Sequence, residues 1–262
     1  MTNIYPNSGA IDASNCISQG WELVKRNYWM YFGIIILALI MTGCIPIINF
    51  FILGPVYVGV YYVLIRDMNR QPVDFGMMFK GFEKFVPAMV AGLIQSIPGI
   101  LITIVQWTMD IGRFMMMSRG GGYGRRGSFD PDMNGPLAAF TGVYLVIIIG
   151  LALFAIVWHV AFFFVMPLLA EHEIGAIDAI KLSAQGVMGN IGGIILLIIL
   201  EALIGIAGSL ALCIGILFVY PIIFAANAVA YRSVFPAPNP EFRNDAPPPP
   251  TAYGGNFGQG MQ

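Results

Sequence analysis

Charged side chains are scarce in this sequence. Asp, Glu, Lys and Arg make up only 10% of the 262 residues, whereas 58% of the residues are hydrophobic. A soluble domain carries about 25% charged residues, so this chain has too few to cover a water-facing surface. The formal net charge of −1 gives no reason to expect binding to nucleic acid. The apolar residues lie in runs near the ~20 residues that cross a bilayer. They predict an all-α polytopic integral membrane protein, folded as a helical bundle.

Cysteine and histidine are also rare, which limits the chemistry that the sequence can support. The three cysteines, Cys16, Cys44 and Cys213, are isolated and fit neither a disulfide framework nor a zinc site. The sequence shows no Ser–His–Asp, Cys–His or paired-carboxylate motif of the kind used in nucleophilic or acid–base catalysis. We therefore expect no metal or other cofactor, and the sequence does not by itself predict an enzyme.

Six apolar segments predict six transmembrane helices, at residues 28–48, 50–65, 85–107, 137–169, 191–207 and 209–231. Pro98 is expected to kink the third span, and the short link between the fifth and sixth implies an antiparallel hairpin. Six spans place both termini on one side of the membrane. That side then carries nine Lys and Arg residues against four on the other, which predicts cytoplasmic termini.

Two polar segments interrupt or follow the apolar ones. Residues 1–235 are expected to form one transmembrane domain, and residues 236–262 a disordered Pro/Gly-rich tail. The sequence APPPPTAY in this tail could adopt a polyproline helix and bind a protein partner. Residues 108–136 are expected to form a flexible loop with some attraction for anionic lipid headgroups. The loop contains RGGGYGRRG, which lacks the Gly-Lys-Ser/Thr ending of a phosphate-binding loop.

The pentapeptide GAIDA occurs twice, 166 residues apart, and other identities share this offset. These are Asp12 with Asp178, Gln19 with Gln185, Pro55 with Pro221, and Arg66 with Arg232. The polar residues around each GAIDA lie at i, i+3 and i+7 and predict an amphipathic helix at the membrane surface. We therefore predict a parallel internal repeat of residues 9–66 and 175–232, each a surface helix followed by two spans. A third surface helix is predicted at residues 74–85, with Asp74 as its N-cap.

Residues 54–92, 166–193 and 220–235 resemble a broad bacterial family of six-span membrane proteins of uncharacterised function. Some members of that family are similar to the membrane domain of glycerophosphodiester phosphodiesterases. The resemblance extends over residues 10–235 and implies a membrane-embedded helical bundle. It does not imply phosphodiesterase activity, because this chain has no soluble phosphodiesterase domain and no clustered His/Glu/Asp metal motif.

Three polar residues, Gln95, His159 and Glu201, are predicted near the middle of the bilayer. Each lies about ten residues from the cytoplasmic end of its span, or roughly 15 Å at 1.5 Å per residue. Polar groups at this depth are costly unless they face protein. We therefore expect Glu201 to point into the bundle toward the fourth span, with His159 as its partner and Gln95 as an alternative. Such a cluster could be a structural hydrogen-bond network or could handle an ion, a proton or a substrate.

Three classes of function are compatible with this sequence. The first is a structural, scaffold or lipid-associated protein of the bacterial inner membrane, with membrane lipids as its partners. The second is a transporter or channel-like protein that uses the polar residues at mid-depth. The third is a membrane-embedded enzyme acting on lipid.

Overall fold

The computed structural model describes residues 4–43, 46–120, 134–210 and 215–237. Within these ranges the protein is all-helical, with no strand, and comprises ten α-helices and one 3-10 helix, η1. In chain order they are α1 Ala13–Lys25, α2 Tyr28–Gly43, α3 Pro46–Met68, η1 Phe75–Lys84, α4 Phe85–Gln95, α5 Ile97–Gly120, α6 Asn134–Ala161, α7 Val165–Glu171, α8 Ala176–Met188, α9 Ile191–Leu210 and α10 Gly215–Val234.

Four stretches of these helices are long and apolar enough to cross a membrane: Asn49–Met68, Gly142–Glu171, Ile191–Leu210 and Gly215–Val234. The number rises to six if two bent pairs each count as one span. One pair is α1 with α2, bent by 102°, and the other is η1–α4 with α5, bent by 45°. Within the described residues, each of the six predicted spans is helical, and the third and fourth are interrupted.

The third predicted span breaks beside Pro98, where the sequence predicts a kink. α4 ends at Gln95 and α5 begins at Ile97. Pro98 has no backbone N–H and cannot donate to the carbonyl oxygen of Ile94, four residues earlier. The indole Nε1 of Trp158 donates to that carbonyl oxygen instead, at 3.2 Å. A side chain from α6 therefore satisfies the backbone group that the proline leaves free.

The fourth predicted span also breaks, between Ala161 and Val165, and the sequence did not predict this break. Ser183 of α8, which is fully buried, occupies the gap. Its hydroxyl donates to the carbonyl oxygen of Ala161 at 2.7 Å and accepts from the backbone N–H of Phe164 at 3.1 Å. The break is stable because a distant helix supplies the hydrogen bonds that the local backbone lacks.

The three predicted surface helices correspond to α1, η1 and α8, and each packs against the second half of a helical hairpin. α1 lies antiparallel to α10: the N–H of Asn7 donates to the carbonyl oxygen of Val234, and the hydroxyl of Tyr28 donates to that of Phe218. η1 packs against α3, and α8 against α7. η1 begins after Asp74, which accepts from the N–H of Gly76 as the predicted N-cap.

The fold has a packed end and a splayed end. Buried residues concentrate in the C-terminal halves of α3 and α10, in α7 and in the inner faces of the three amphipathic helices. Large exposed apolar residues concentrate on α5, α6 and α9. In a bilayer these exposed faces would contact lipid chains, so the internal core of the protein lies mainly at the packed end.

Candidate functional site

Gln95 and His159, two of the three predicted mid-depth residues, line the same cavity, which we call the lateral groove. It has a volume of about 380 Å³ and lies beside the break between α4 and α5. α4 and α5 contribute Gln95 and Pro98, α6 contributes Ala155, Trp158 and His159, and α9 contributes Ile198.

The lateral groove is mostly apolar but contains unused hydrogen-bonding capacity. The Oε1 atom of Gln95 is buried and accepts no hydrogen bond in the described structure. The side chain of His159 is exposed, and a neutral imidazole can donate through one nitrogen and accept through the other. Trp158 is already engaged through its bond to Ile94. An occupant with an apolar body and a hydrogen-bond donor would therefore suit the groove.

Glu201, the third predicted residue, does not line the lateral groove. It follows the groove residue Ile198 by three positions on α9, so its side chain is turned by about 60° around the helix. Glu201 lies beside Asn227 of α10, whose side chain is within hydrogen-bonding reach, and near Tyr61 of α3. The sequence analysis expected His159 as its partner, and the structure places Asn227 in that position.

The surroundings of Glu201 leave two acceptor atoms without donors. The Oε1 atom of Glu201 and the Oδ1 atom of Asn227 are both buried, and neither accepts a hydrogen bond in the described structure. The buried thiol of Cys16, on α1, is a further neighbour. The carboxyl group thus faces α1, α3 and α10 rather than lipid.

Two other carboxylates lie at the packed end, and each is bound by a tyrosine hydroxyl and an arginine. Asp67 accepts from the hydroxyl of Tyr31 at 2.6 Å and from Arg26 at 3.1 Å. Asp67 also borders an open cavity of about 410 Å³ between α1 and the end of α3. The hydrogen bonds connect the start of α2 to the end of α3.

Glu171 has the same kinds of partner at the end of α7. It accepts from the hydroxyl of Tyr231 at 2.6 Å and pairs with Arg232 at 2.9 Å. Arg232 also donates to Asn69, at 3.4 Å, which connects the ends of α10 and α3. The sequence analysis missed both carboxylate clusters. The sequence feature that could have indicated these clusters is an acidic residue directly at the end of an apolar run, in RDM and in LLAEH.

Lys84 and His172 complete this region. The ammonium group of Lys84 donates to the carbonyl oxygens of Leu169 and His172, each at 3.0 Å, and so caps the C-terminal end of α7. Burial lowers the pKa of His172 from its ordinary value of 6.5; the Glu171 carboxylate opposes this shift, and the charges of Lys84 and Arg232 add to it. The local field therefore favours the neutral imidazole.

The residues matched at the 166-residue offset take partly different roles. Asp12 is the N-cap of α1, whereas Asp178 lies in the first turn of α8, whose N-cap is Gly175. Gln19 donates to Asn15. Gln185 lines a cavity of about 340 Å³ together with Asp178 and Lys181.

The matched prolines and arginines have more similar positions. Pro55 lies inside α3 and Pro221 inside α10. Arg66 stacks over the ring of Tyr62, and Arg232 stacks over that of Tyr231.

Several predictions fall on residues 44–45, 121–133, 211–214 and 238–262, which lie outside the described ranges. They concern Cys44 and Cys213, most of the arginine- and glycine-rich loop, and nearly all of the Pro/Gly-rich tail. Comparison of the chain with protein-family models, curated proteins and solved structures finds no match.

Proposed function

We propose that this protein is an integral membrane protein whose lateral groove binds an amphipathic, lipid-like molecule. The observation that carries the proposal is the break between α4 and α5, where an apolar cavity contains the unpaired acceptor of Gln95 beside His159. Irregular backbone at membrane depth is tolerated only where it is buried in protein or lines a water-filled cavity, and here Trp158 covers the freed carbonyl oxygen of Ile94. The sequence leads us to expect a lipid-associated protein, and we propose the groove as the part of it that binds a lipid-like molecule.

Access to the groove from the bilayer supports this proposal. Ile156 and His159 are exposed at its rim, and the neighbouring apolar faces of α5, α6 and α9 are uncovered. A lipid-like molecule could therefore enter sideways without crossing the packed end. Its apolar part would replace lipid chains against Pro98, Ala155 and Ile198.

The chemistry of the occupant follows from the two polar residues. Gln95 Oε1 requires a donor such as a hydroxyl, amide or amine, and His159 can accept or donate a second hydrogen bond. Satisfying one buried polar group stabilises a complex by about 1–3 kcal/mol, and about 1.4 kcal/mol corresponds to tenfold in affinity. Loss of Gln95 alone should therefore weaken binding by about tenfold.

Native mass spectrometry of the full chain released from lipid nanodiscs tests this proposal. We expect a retained lipid-like adduct on the wild-type protein and its loss from the double variant Gln95→Leu/His159→Leu. Gln106→Leu is a matched control, because Gln106 is an exposed glutamine on α5 outside the lateral groove. Equal retention by the double variant and the control, with both folded, would contradict the proposal.

The same break supports transport as a second candidate function. Discontinuous helices that border a mid-membrane site are a recurring feature of transporters. If the groove moves its occupant between leaflets, proteoliposomes should accelerate the exchange of a fluorescent lipid, and the double groove variant should not. Adduct retention without accelerated exchange would leave lipid binding as the function and exclude this candidate.

We also propose that the protein resides in the bacterial cytoplasmic membrane with both termini in the cytoplasm. The hydrogen bond from the N–H of Asn7 to the carbonyl oxygen of Val234, at 2.8 Å, joins the segment before α1 to the end of α10 and supports the placement of both termini on one side. The excess of Lys and Arg favours the cytoplasmic side. Periplasmic activity of alkaline phosphatase fused after residue 262 would contradict this topology.

We further propose that α1–α3 and α8–α10 are two copies of one module. Each consists of an amphipathic helix followed by two apolar helices, and the last helix of each contains a proline and ends near an arginine stacked on tyrosine. The different roles of Asp12 and Asp178 mean that the start of the module has changed more than its end. An experimental structure in which the two segments run in opposite directions would contradict the duplication.

A further inference from the structure

The carboxyl group of Glu201 is isolated from positive charge. The carboxylates that form ion pairs among the described residues are Asp67, Glu171 and the exposed Glu22, Glu83 and Glu173, and none of these pairs includes Glu201. Glu201 interacts electrostatically with the Cys16 thiol from α1 and the Tyr61 phenol from α3, and the Asn227 amide from α10 is within its hydrogen-bonding reach. One turn from Tyr61, Tyr57 lies near Tyr220. None of these side chains carries a positive charge.

An ionised carboxylate in this position would lack what a buried charge requires. A buried charge is stable when it is paired and its remaining lone pairs are hydrogen-bonded. Glu201 has an amide within reach, but its Oε1 atom accepts nothing, and neither does Oδ1 of Asn227. An intramembrane carboxylate in these surroundings must acquire a positive charge from outside the protein.

We propose that Glu201, with Asn227 and Tyr61, forms an intramembrane proton-binding site. A proton is the ligand that this geometry favours because it cancels the single negative charge and occupies no space in a packed bundle. A divalent cation would need more carboxylates, and no group of three or more His, Cys, Asp or Glu side chains able to hold a metal occurs in the described part of the chain. A desolvated monovalent cation would need a fuller shell of oxygen ligands than the two carboxyl oxygens of Glu201, the amide oxygen of Asn227 and the phenol oxygen of Tyr61 provide. The proposal is independent of the lateral groove.

Dicyclohexylcarbodiimide, an apolar reagent that reacts with protonated carboxyl groups, tests this proposal on the full chain in proteoliposomes. We expect mass spectrometry to find an adduct on Glu201 at neutral pH. Once the pH exceeds the value at which half of the Glu201 carboxyl groups are protonated, the rate of labelling should fall by about tenfold for each further pH unit. The exposed carboxylates Glu22, Glu83 and Glu173, each paired with a lysine at the surface, serve as internal controls that remain unlabelled.

Two variants and one competitor make the outcome decisive. Glu201→Gln should abolish the adduct, and Gln95→Leu/His159→Leu should leave it unchanged, which separates this proposal from that of the groove. If Glu201→Gln does not fold, the wild-type pH profile still decides. Labelling of Glu201 that appears only below about pH 5, as for an ordinary carboxyl group in water, would overturn the proposal. Protection of Glu201 by Na⁺ or K⁺ at constant pH would also overturn it, because the site would then hold a metal cation.

Discussion

Among the described residues, the carboxylates Asp67, Glu171 and Glu201 are largely buried, and their neighbours distinguish their roles. Asp67 and Glu171 each accept hydrogen bonds from a tyrosine hydroxyl and an arginine. Glu201 has an amide and a phenol as neighbours but no cation. Removing either of the first two carboxylates would leave a tyrosine hydroxyl without its hydrogen-bond partner, so these carboxylates stabilise helix ends. The third carboxylate, Glu201, is suited to bind and release a proton.

Asn190, at the link between α8 and α9, provides a test of polar contacts at the packed end. Its side chain accepts from the N–H of Ala10 at 2.8 Å and donates to the carbonyl oxygens of Asn7 and Gly186 at 2.7 and 2.9 Å. Asn190→Ala leaves these backbone groups without their partner. We expect a loss of about 2–3 kcal/mol in the free energy of unfolding, measured by tryptophan fluorescence in detergent.

An asparagine with little burial serves as the control for this prediction. Asn15 lies on the exposed face of α1, and Asn15→Ala should change the free energy of unfolding by no more than about 0.5 kcal/mol. Equal stability of the Asn190 and Asn15 variants would show that the N-terminal segment does not depend on its contacts with Asn190.

His172 makes a prediction about pH. Its pKa in the folded protein lies below the ordinary value of 6.5, so the unfolded chain binds a proton more readily than the folded one. The associated stability is complete above about pH 6.5 and is lost as the pH falls through the lowered pKa. The thermal midpoint of the wild type should therefore fall between about pH 7 and pH 5, and that of His172→Gln should fall less. Identical profiles would contradict this assignment.

The sequence predicts similar depths for Gln95, His159 and Glu201 but not which of them meet. Depth follows from counting residues along each span, and Gln95 and His159 do share a cavity. The partner of Glu201 depends on how each helix is rotated about its axis and on which helices are neighbours. Asn227 and Tyr61 are separated from Glu201 by 26 and 140 positions in the sequence, and local patterns contain no information on such pairs.

At the scale of elements, one of the two helix breaks can be predicted from the sequence and the other cannot. The break beside Pro98 has a local cause, the missing N–H of proline, and the sequence predicts it. The break between Ala161 and Val165 has a distant cause, because Ser183 of another helix supplies its hydrogen bonds. The apolar run FAIVWHVAFFFVMPLL contains no comparable signal before that point. The apolar helices could be predicted, but this second interruption could not.

The crossing of η1 and α3 makes a prediction at the element scale. A Cβ atom on Gly81 would overlap the carbonyl oxygen of Pro55 and lie 2.8 Å from the Cα atom of Gly59. Both neighbours are backbone atoms and cannot move aside without separating the helices. We expect Gly81→Ala to cost about 3 kcal/mol in the free energy of unfolding, at the upper end of overpacking effects, or to prevent folding. Thermal unfolding in detergent measures this effect.

A second glycine separates this steric effect from helix propensity. Gly150 lies inside α6, and a Cβ atom there would have no heavy atom within 4 Å. Gly150→Ala should leave stability unchanged or raise it by up to about 1 kcal/mol, because alanine favours the helix more than glycine does. If both variants lose stability equally, close approach of η1 and α3 is not the cause.

At the scale of the whole molecule, the packed and splayed ends have different surroundings. The packed end resembles a soluble core, with buried apolar residues and carboxylates tied to arginine and tyrosine. The splayed end exposes long apolar faces on α5, α6 and α9, which only lipid or another apolar surface could cover. The lateral groove lies among the splayed helices, where a molecule from the bilayer can reach it.

Site-specific photocrosslinking in intact membranes tests whether the lateral groove selects a lipid-like molecule. A photoreactive amino acid at position 198 replaces a residue of the groove. The same amino acid at position 199 replaces Ile199, which is 50% exposed on the adjacent face of α9. The account predicts one dominant lipid-like adduct from position 198, lost when Gln95 and His159 are both replaced by leucine, and a mixture of bulk lipids from position 199. The same mixture from both positions would contradict the claim.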